Sequence, residues 1–296
     1  MKIFDLHCDT FTELYDRETS LFDESLSVNK SELCGFDTAV QTFAVFLRPD
    51  EQDSVGRYSK VLACGKRRLC DAGIEICTKQ RQLKANGVKA MLSVEGGVPS
   101  FSPDFIETMR LDGVRTVSLT WNSDNVLAGG ALGTGGLTNL GRNVISELNR
   151  CNMVTDLSHL NRRSFFEAAE TAETVVATHS GVDALVKHPR NLTDTQLNII
   201  KEKRGKIGLC VYPEFIGDDV FEGFYRAVIH CLELGLENNI AIGTDFDGAK
   251  MSRKLSKVSQ LSGLYEFLIQ RKIGKEQCDK IFYENSAEFY RNVLTK

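Results

Sequence analysis

The sequence predicts an α/β fold, a single (β/α)8 barrel of the TIM type with the architecture of a metallo-dependent hydrolase. Eight short runs rich in β-branched and apolar residues recur along the 296-residue chain. Most are separated by longer stretches with helical spacing, and polar side chains able to bind a metal close several of them. Strand and helix in alternation make parallel βα units, and eight strands is the count that closes such a barrel.

In chain order the candidate strands are Ile3 to Leu6, Ala39 to Phe46, Val88 to Val94, Val114 to Thr120, Met153 to Ser158, Thr174 to Thr178, Lys206 to Tyr212 and Ile240 to Thr244. Between them Ser54 to Asn86 reads as one long helix, and Pro103 to Leu111 as a short one entered through Ser102 as N-cap. Asn139 to Arg150, Arg162 to Ala172 and Thr195 to Lys203 carry the same spacing, as does Phe221 to Leu234, which closes at Gly235. Ser256 to Gln270, Lys275 to Tyr283 and Ser286 to Val293 complete the series. No linker, charge run or internal repeat divides it, so residues 1–296 are expected to form one domain. The stretch Gly129 to Gly136, GGALGTGG, reads as an active-site loop; it lacks the Lys-Ser/Thr ending of a phosphate-binding loop.

Composition excludes several function classes. With 42% hydrophobic and 26% charged residues the chain is ordinary globular protein. Its 36 Lys and Arg are scattered among 40 acidic residues for a net charge of -4, which argues against nucleic acid as a partner. The longest apolar runs, such as Thr38 to Leu47, are half the roughly 20 residues that span a bilayer, so no membrane segment is expected. Met1 leads directly into a strand-like run without a basic n-region or apolar h-region, and the expected location is cytoplasmic. Nine cysteines at irregular spacing read as reduced thiols. Cys64, Cys70 and Cys77 have no CxxC pair or neighbouring histidine to suggest a thiolate metal cluster.

Reactive groups in such a barrel sit at the C-terminal ends of strands. The first candidate strand runs into His7-Cys8-Asp9, whose outer two residues can face the same way on an extended chain. Glu95 follows the third candidate strand, His159 the fifth, His179 the sixth and Asp245 the eighth. A carboxylate or imidazole buried there must be paired, hydrogen-bonded or metal-bound. Six converging on one mouth point to two divalent ions, zinc best matching mixed imidazole and carboxylate donors, with Glu95 placed to bridge. A water between two metals becomes acidic enough to attack as hydroxide, and Asp245 is the candidate to collect and return the proton.

These residues belong to motifs that resemble the membrane (renal) dipeptidase family, peptidase family M19 of the amidohydrolase superfamily. The resemblance runs nearly end to end through DLHCDT (Asp5 to Thr10), SVEGG (Ser93 to Gly97), GLTNLGRNVISELNR (Gly136 to Arg150) and TDLSHL (Thr155 to Leu160). ATHSGVDAL (Ala177 to Leu185), HPRNLTD (His188 to Asp194), YPEF (Tyr212 to Phe215) and IGTDFDG (Ile242 to Gly248) follow. It implies that His7, Asp9 and Glu95 hold one zinc and that Glu95, His159 and His179 hold the other, with Asp245 as proton shuttle against the pair and also able to touch one zinc. It further implies that Arg190 receives the substrate carboxylate through two parallel donors, and that Tyr212 adds a hydrogen bond. Asn191 and Asp247 are expected to support these groups, and His188 and His230 to be structural. Family members are often homodimers, but no interface is legible in the sequence.

One departure stands out. Where animal members carry histidine this chain has Trp121, whose indole has one donor and no acid-base capacity near neutral pH. Trp121 is expected to wall the pocket while a metal, helped by Asn122, polarises the scissile carbonyl. The implied activity is hydrolysis of dipeptides, L-D dipeptides included. A second reading keeps the metals and changes the bond to another amide, a lactone or an N-acyl amino acid. A third is an inactive metal-binding protein, for which Trp121 is the best argument and the six intact metal-site residues the counter-argument.

Overall fold

A computed structural model describes residues 1–294. Nine strands run β1 (Lys2–Cys8), β2 (Thr38–Phe46), β3 (Glu75–Ile76), β4 (Gly87–Glu95), β5 (Val114–Ser118), β6 (Val154–Asp156), β7 (Val175–Ser180), β8 (Lys206–Leu209) and β9 (Ile240–Ile242). All but β3 close a parallel ring in the order β1-β2-β4-β5-β6-β7-β8-β9, with β9 returning to β1. β2 pairs with β4 from Thr38 opposite Gly87 to Phe46 opposite Glu95, which carries Glu95 to the C-terminal rim. The short β3 lies beside the first half of β4 and takes no part in closure. The fold is therefore a (β/α)8 barrel, as the alternation predicts.

The helices cover the ring with apolar stripes. Asn139–Arg150 buries Gly141, Val144, Ile145 and Leu148, the helical i, i+3, i+4, i+7 pattern, and starts where the Thr138 hydroxyl accepts from the Gly141 amide. The expected long helix over Ser54 to Asn86 is corrected: it ends at Asp71, because Gly73 turns the chain at φ +65° into β3, and a separate helix forms at Gln80–Lys84. The short helix begins at Phe105 after Asp104, not at Pro103 after Ser102. Residues Lys275–Asp279, Lys280–Glu284 and Asn285–Val293 join without a break, through one π turn, where two helices were expected. No helix among the described residues is long and apolar enough to cross a membrane.

Phe4, Val40, Met91, Val154, Val176 and Ala241 come from different strands yet pack in one cluster with Ala287, Phe289, Tyr290 and Val293. Side chains of six strands can meet only inside the ring, so helix Asn285–Val293 plugs its N-terminal end. Tyr290 stacks on Phe4 at 5.3 Å and its hydroxyl shares a 2.7 Å hydrogen bond with Thr116. Above the plug the strands come close: a Cβ at Gly243 would lie 1.7 Å from the carbonyl oxygen of Thr178. We expect Gly243→Ala to cost about 2–3 kcal/mol in urea unfolding through overpacking. Gly263→Ala, in a helix where the added methyl meets only the Phe221 ring at 3.8 Å, is expected to stabilise by about 0.5–1 kcal/mol.

Candidate metal centre

All six residues singled out at strand ends meet at the C-terminal mouth. The ends of β1 and β9 are zipped together, with the Asp9 amide donating to the Phe246 carbonyl at 2.9 Å and the Asp245 amide to the His7 carbonyl at 3.2 Å. His7 Nε2 lies 3.1 Å from Glu95 Oε2, 3.6 Å from Asp9 Oδ2 and 3.8 Å from Asp245 Oδ1. Glu95 Oε1 lies 2.6 Å from His159 Nε2, so its two oxygens face the two halves of the site. His159 and Asp245 both adopt left-handed backbone, φ +67° and +63°, which non-glycine residues rarely take unless their surroundings enforce it. Asp9 does not sit on the strand as expected; at ψ 15° it opens helix Thr10–Asp16, and its carboxylate makes no cap hydrogen bond.

Burial sets these groups against one another. His7 is pushed down by burial, yet the charges of Glu95 and Asp9 hold it well above an ordinary imidazole. Glu95 is raised by burial and pulled well below the carboxylate range by His159 and His7. Burial, with Glu95 beside it, lifts Asp9 to about 6. Burial lifts Asp245 to about 8, Asp9 and Glu95 opposing the pull of His7. Burial and Arg190 drop His159 to about 4, and His179 also lies far below its ordinary value. Three carboxylates with one willing imidazolium between them are short of positive charge.

Two contacts assign protons to the outer imidazole nitrogens. The Thr178 hydroxyl donates to Asp156 and so accepts from His179 Nδ1 at 2.9 Å. Asn122 Oδ1 accepts from His159 Nδ1 at 2.9 Å. Both Nε2 atoms are then lone pairs, as the network assigns them. They face each other at 2.8 Å, a repulsive arrangement unless a cation lies against both. His7 Nε2, Asp9 Oδ1 and Glu95 Oε2 are likewise buried without a hydrogen-bond partner. Mixed imidazole and carboxylate donors of this kind fit zinc and related divalent ions.

A cavity of about 400 Å³ opens over Asp9, Glu95, His159 and Asp245, and Trp121, Asn122, Arg190 and Tyr212 all line it. Arg190 is only 6% exposed; it donates to the His179 carbonyl at 3.3 Å and lies over the Phe215 ring, with no ion pair among the described residues. Asn122 lines the cavity and its carbonyl oxygen meets His159 Nδ1 at 2.9 Å, a contact the sequence did not indicate. Tyr212 packs edge-on against Phe215. Asn191 and Asp247 brace loops as expected, Asp247 accepting from the Thr10 hydroxyl and the Ser27 amide at 2.7 Å each. His230 pairs with Asp194 and is not among the residues lining the cavity, whereas His188 both accepts from the Arg190 amide and lines it. Sequence reasoning missed Leu132, Glu214, Phe215 and Lys250 in the lining, and Gly248, whose Cβ would fall 2.1 Å from Asp9 Oδ2. The available signal was their adjacency to YPEF, TDFDG and the glycine-rich loop.

A family model described as membrane dipeptidase (peptidase family M19) matches residues 1–295. An uncharacterized protein in the pqqA 5′ region of Klebsiella pneumoniae is 32% identical over 251 residues, 78% of this chain and 90% of its own length. Dipeptidase tcpJ of Claviceps purpurea is 30% identical over 191 residues, 61% of this chain and 45% of its own length, so the match spans under half of that relative. Among solved structures, dipeptidase AC, a metallopeptidase of family M19, superposes with TM-score 0.92 at 22% identity, covering 100% of this chain and 99% of that one. A metallopeptidase from Rhodobacter sphaeroides, liganded with a phosphinate mimic of the dipeptide L-Ala-D-Ala, superposes with TM-score 0.86 at 23% identity and 98% coverage of both. At these identities the structural likeness is one of fold.

The Asp156–Thr178–His179 relay makes a testable demand. Thr178→Val, close in shape but without the hydroxyl, is expected to weaken zinc binding about 10–100-fold in competition with a chromophoric chelator, the usual effect of losing a partner that orients a ligand. Unchanged affinity would show that His179 needs no such hold.

Proposed function

The chain belongs to the membrane dipeptidase family, peptidase family M19, and from that premise we propose that it is a metal-dependent dipeptidase, most fittingly a two-zinc enzyme, formed by residues 1–296 as one unit. The observation that carries this reading is the approach of His159 Nε2 and His179 Nε2 to 2.8 Å, with the Glu95 carboxylate reaching from His159 to His7. In the proposal His7, Asp9 and Glu95 hold one ion, Glu95, His159 and His179 the other, and Asp245 stands within reach of the first.

Two divalent ions held there would supply Lewis acidity to the scissile carbonyl and to the attacking water. The chain's own groups do the rest. Arg190, a buried guanidinium lining the cavity with no ion pair among the described residues, supports recognition of the substrate's terminal carboxylate, a planar anion that matches its two parallel donors. Tyr212 adds a polar group to the same cavity. Asp245, left-handed and directed at His7, is positioned to take the attacking proton and return it to the departing amine. Asn122 acts through His159. Inclusion of L-D dipeptides among the substrates is supported by the ligand of the Rhodobacter sphaeroides relative. A cytoplasmic setting, part of the same proposal, rests on the nine free cysteines.

The test pairs elemental analysis with hydrolysis of a panel of L-L, L-D and D-D dipeptides. About two zinc ions per chain and cleavage are expected, with Asp245→Asn retaining metal while turnover falls by about 10²–10⁴. Two metals without cleavage of any dipeptide would move the reaction to another amide or lactone, and no metal after zinc reconstitution would sink the site. Trp121→His is expected to bring no gain in turnover, since the ring serves as a wall of the pocket. A gain of about 100-fold, the worth of one well-placed oxyanion donor, would instead assign carbonyl polarisation to that position.

A further inference from the structure

The dipeptidase reading says nothing of which side chains the cavity accepts, and the glycine-rich loop bears on that. Leu132 is 69% exposed and Trp121 37% exposed, yet both line the cavity over His159. Exposed apolar side chains facing a polar site are unusual unless something apolar is to cover them. Phe46 backs the indole from the other side at 5.8 Å, and the indole sits 6.2 Å from the His159 ring.

The loop holding Leu132 is rigid by construction. Asp124 accepts from the amides of Gly130 at 3.0 Å, Thr134 at 3.1 Å and Gly135 at 3.0 Å, so one carboxylate gathers both ends of the loop. The Leu132 amide donates to the Asn122 carbonyl at 2.8 Å, tying the loop to the residue that orients His159. Asn161 closes the outer side by donating to the carbonyls of Gly133 and Gly135. The glycines serve close wrapping, since a Cβ at Gly133 would fall 1.6 Å from Asp124 Oδ1 and one at Gly130 2.5 Å from the Trp121 carbonyl oxygen.

We propose that Leu132 and Trp121 form the apolar subsite for one substrate side chain, that this subsite favours large apolar residues, and that Asp124 is the positioning residue that holds Leu132 over the cavity. This rests on the dipeptidase reading. Covering Leu132 with a substrate methylene cluster removes apolar surface from water on both sides, and a pocket contact of this size is worth about 10-fold or more in kcat/KM.

The experiment compares Leu-Ala, Ala-Leu and Ala-Ala with the zinc-loaded enzyme. For one of the two leucine dipeptides the ratio of kcat/KM over that for Ala-Ala is expected to fall about 10-fold in Leu132→Ala, to be restored in Leu132→Met, and to fall in the same direction in Asp124→Asn. Hydrogen exchange of the metal-free protein is expected to show the Gly130, Thr134 and Gly135 amides losing protection in Asp124→Asn, a readout independent of activity. Cleavage with unchanged ratios for both leucine dipeptides would overturn the subsite, and unchanged exchange would overturn the role of Asp124. Failure of the unaltered enzyme to cleave any dipeptide would overturn the parent reading instead.

Discussion

The upper end of this barrel is governed by a shortage of positive charge. Asp9, Glu95 and Asp245 are gathered around His7, and His159 and His179 are held neutral by burial and by hydrogen bonds at their outer nitrogens. Two unit charges 4 Å apart interact by about 4 kcal/mol at the effective dielectric near a protein surface. Several such repulsions in one cluster are a large load on a fold whose whole stability is about 5–15 kcal/mol. Protonation of Asp245, lifted to about 8, removes part of that load, and bracing carries the rest. Asp5, fully buried two residues before His7, accepts from Gln41 at 2.9 Å and from the Thr244 amide at 2.9 Å and hydroxyl at 2.6 Å, knotting β1 to β2 and to the segment after β9. Asp156, three residues before His159, accepts from the Ser158 amide at 2.9 Å and the Thr178 amide at 3.0 Å and does the same for β6 and β7. Each knot lies directly beneath candidate ligands, and neither carboxylate lines the cavity.

The opposite end of the ring follows the opposite rule. There the interior is filled by Phe4, Val40, Met91, Val154, Val176 and Ala241 against the helix that carries Tyr290, with one shared hydroxyl bond to Thr116 as its polar contact to β5. The chain thus separates a dry, apolar floor that stabilises from a crowded polar mouth that must be restrained, the division expected of a barrel whose loops carry the chemistry. The glycines obey the same division. Gly243 and Gly208 allow close approach inside the ring, whereas Gly248 leaves room for the carboxylates of Asp9 and Asp245.

Much of this was legible in the sequence, for identifiable reasons. All eight ring strands could be read because buried parallel strands are short apolar runs with breaks between them. The span from Ser54 to Asn86 misled because its charged, cysteine-bearing composition stays helix-compatible past Asp71, and only the left-handed Gly73 stops it. The six clustered residues were legible because each lies at the C-terminal end of an apolar run or just beyond it. Asp5, Asp156 and Thr178 were not, although they are close to those six in sequence, because their partners lie across strand pairings such as Asp156 opposite Val176, and register is not written in any one segment. Asn122 was legible as a cavity residue, but its contact with His159 Nδ1 was not, since which atom an amide oxygen meets depends on where a strand-end imidazole swings.

Depth below the rim explains why likeness to other barrels informs some features and not others. The candidate ligands project from strand ends or from the first residues beyond them, where the position of one strand is dictated by its two neighbours, and the superposition at TM-score 0.92 with 22% identity is a likeness of that ring. Leu132, Glu214 and Lys250 project from loops, each shaped by its own local bonds, such as the three amides gathered on Asp124. A loop can change its side chain or its path without disturbing the ring beneath it. The ring therefore determines where strand-end groups can stand, and the loops of this chain's own sequence determine what stands over them.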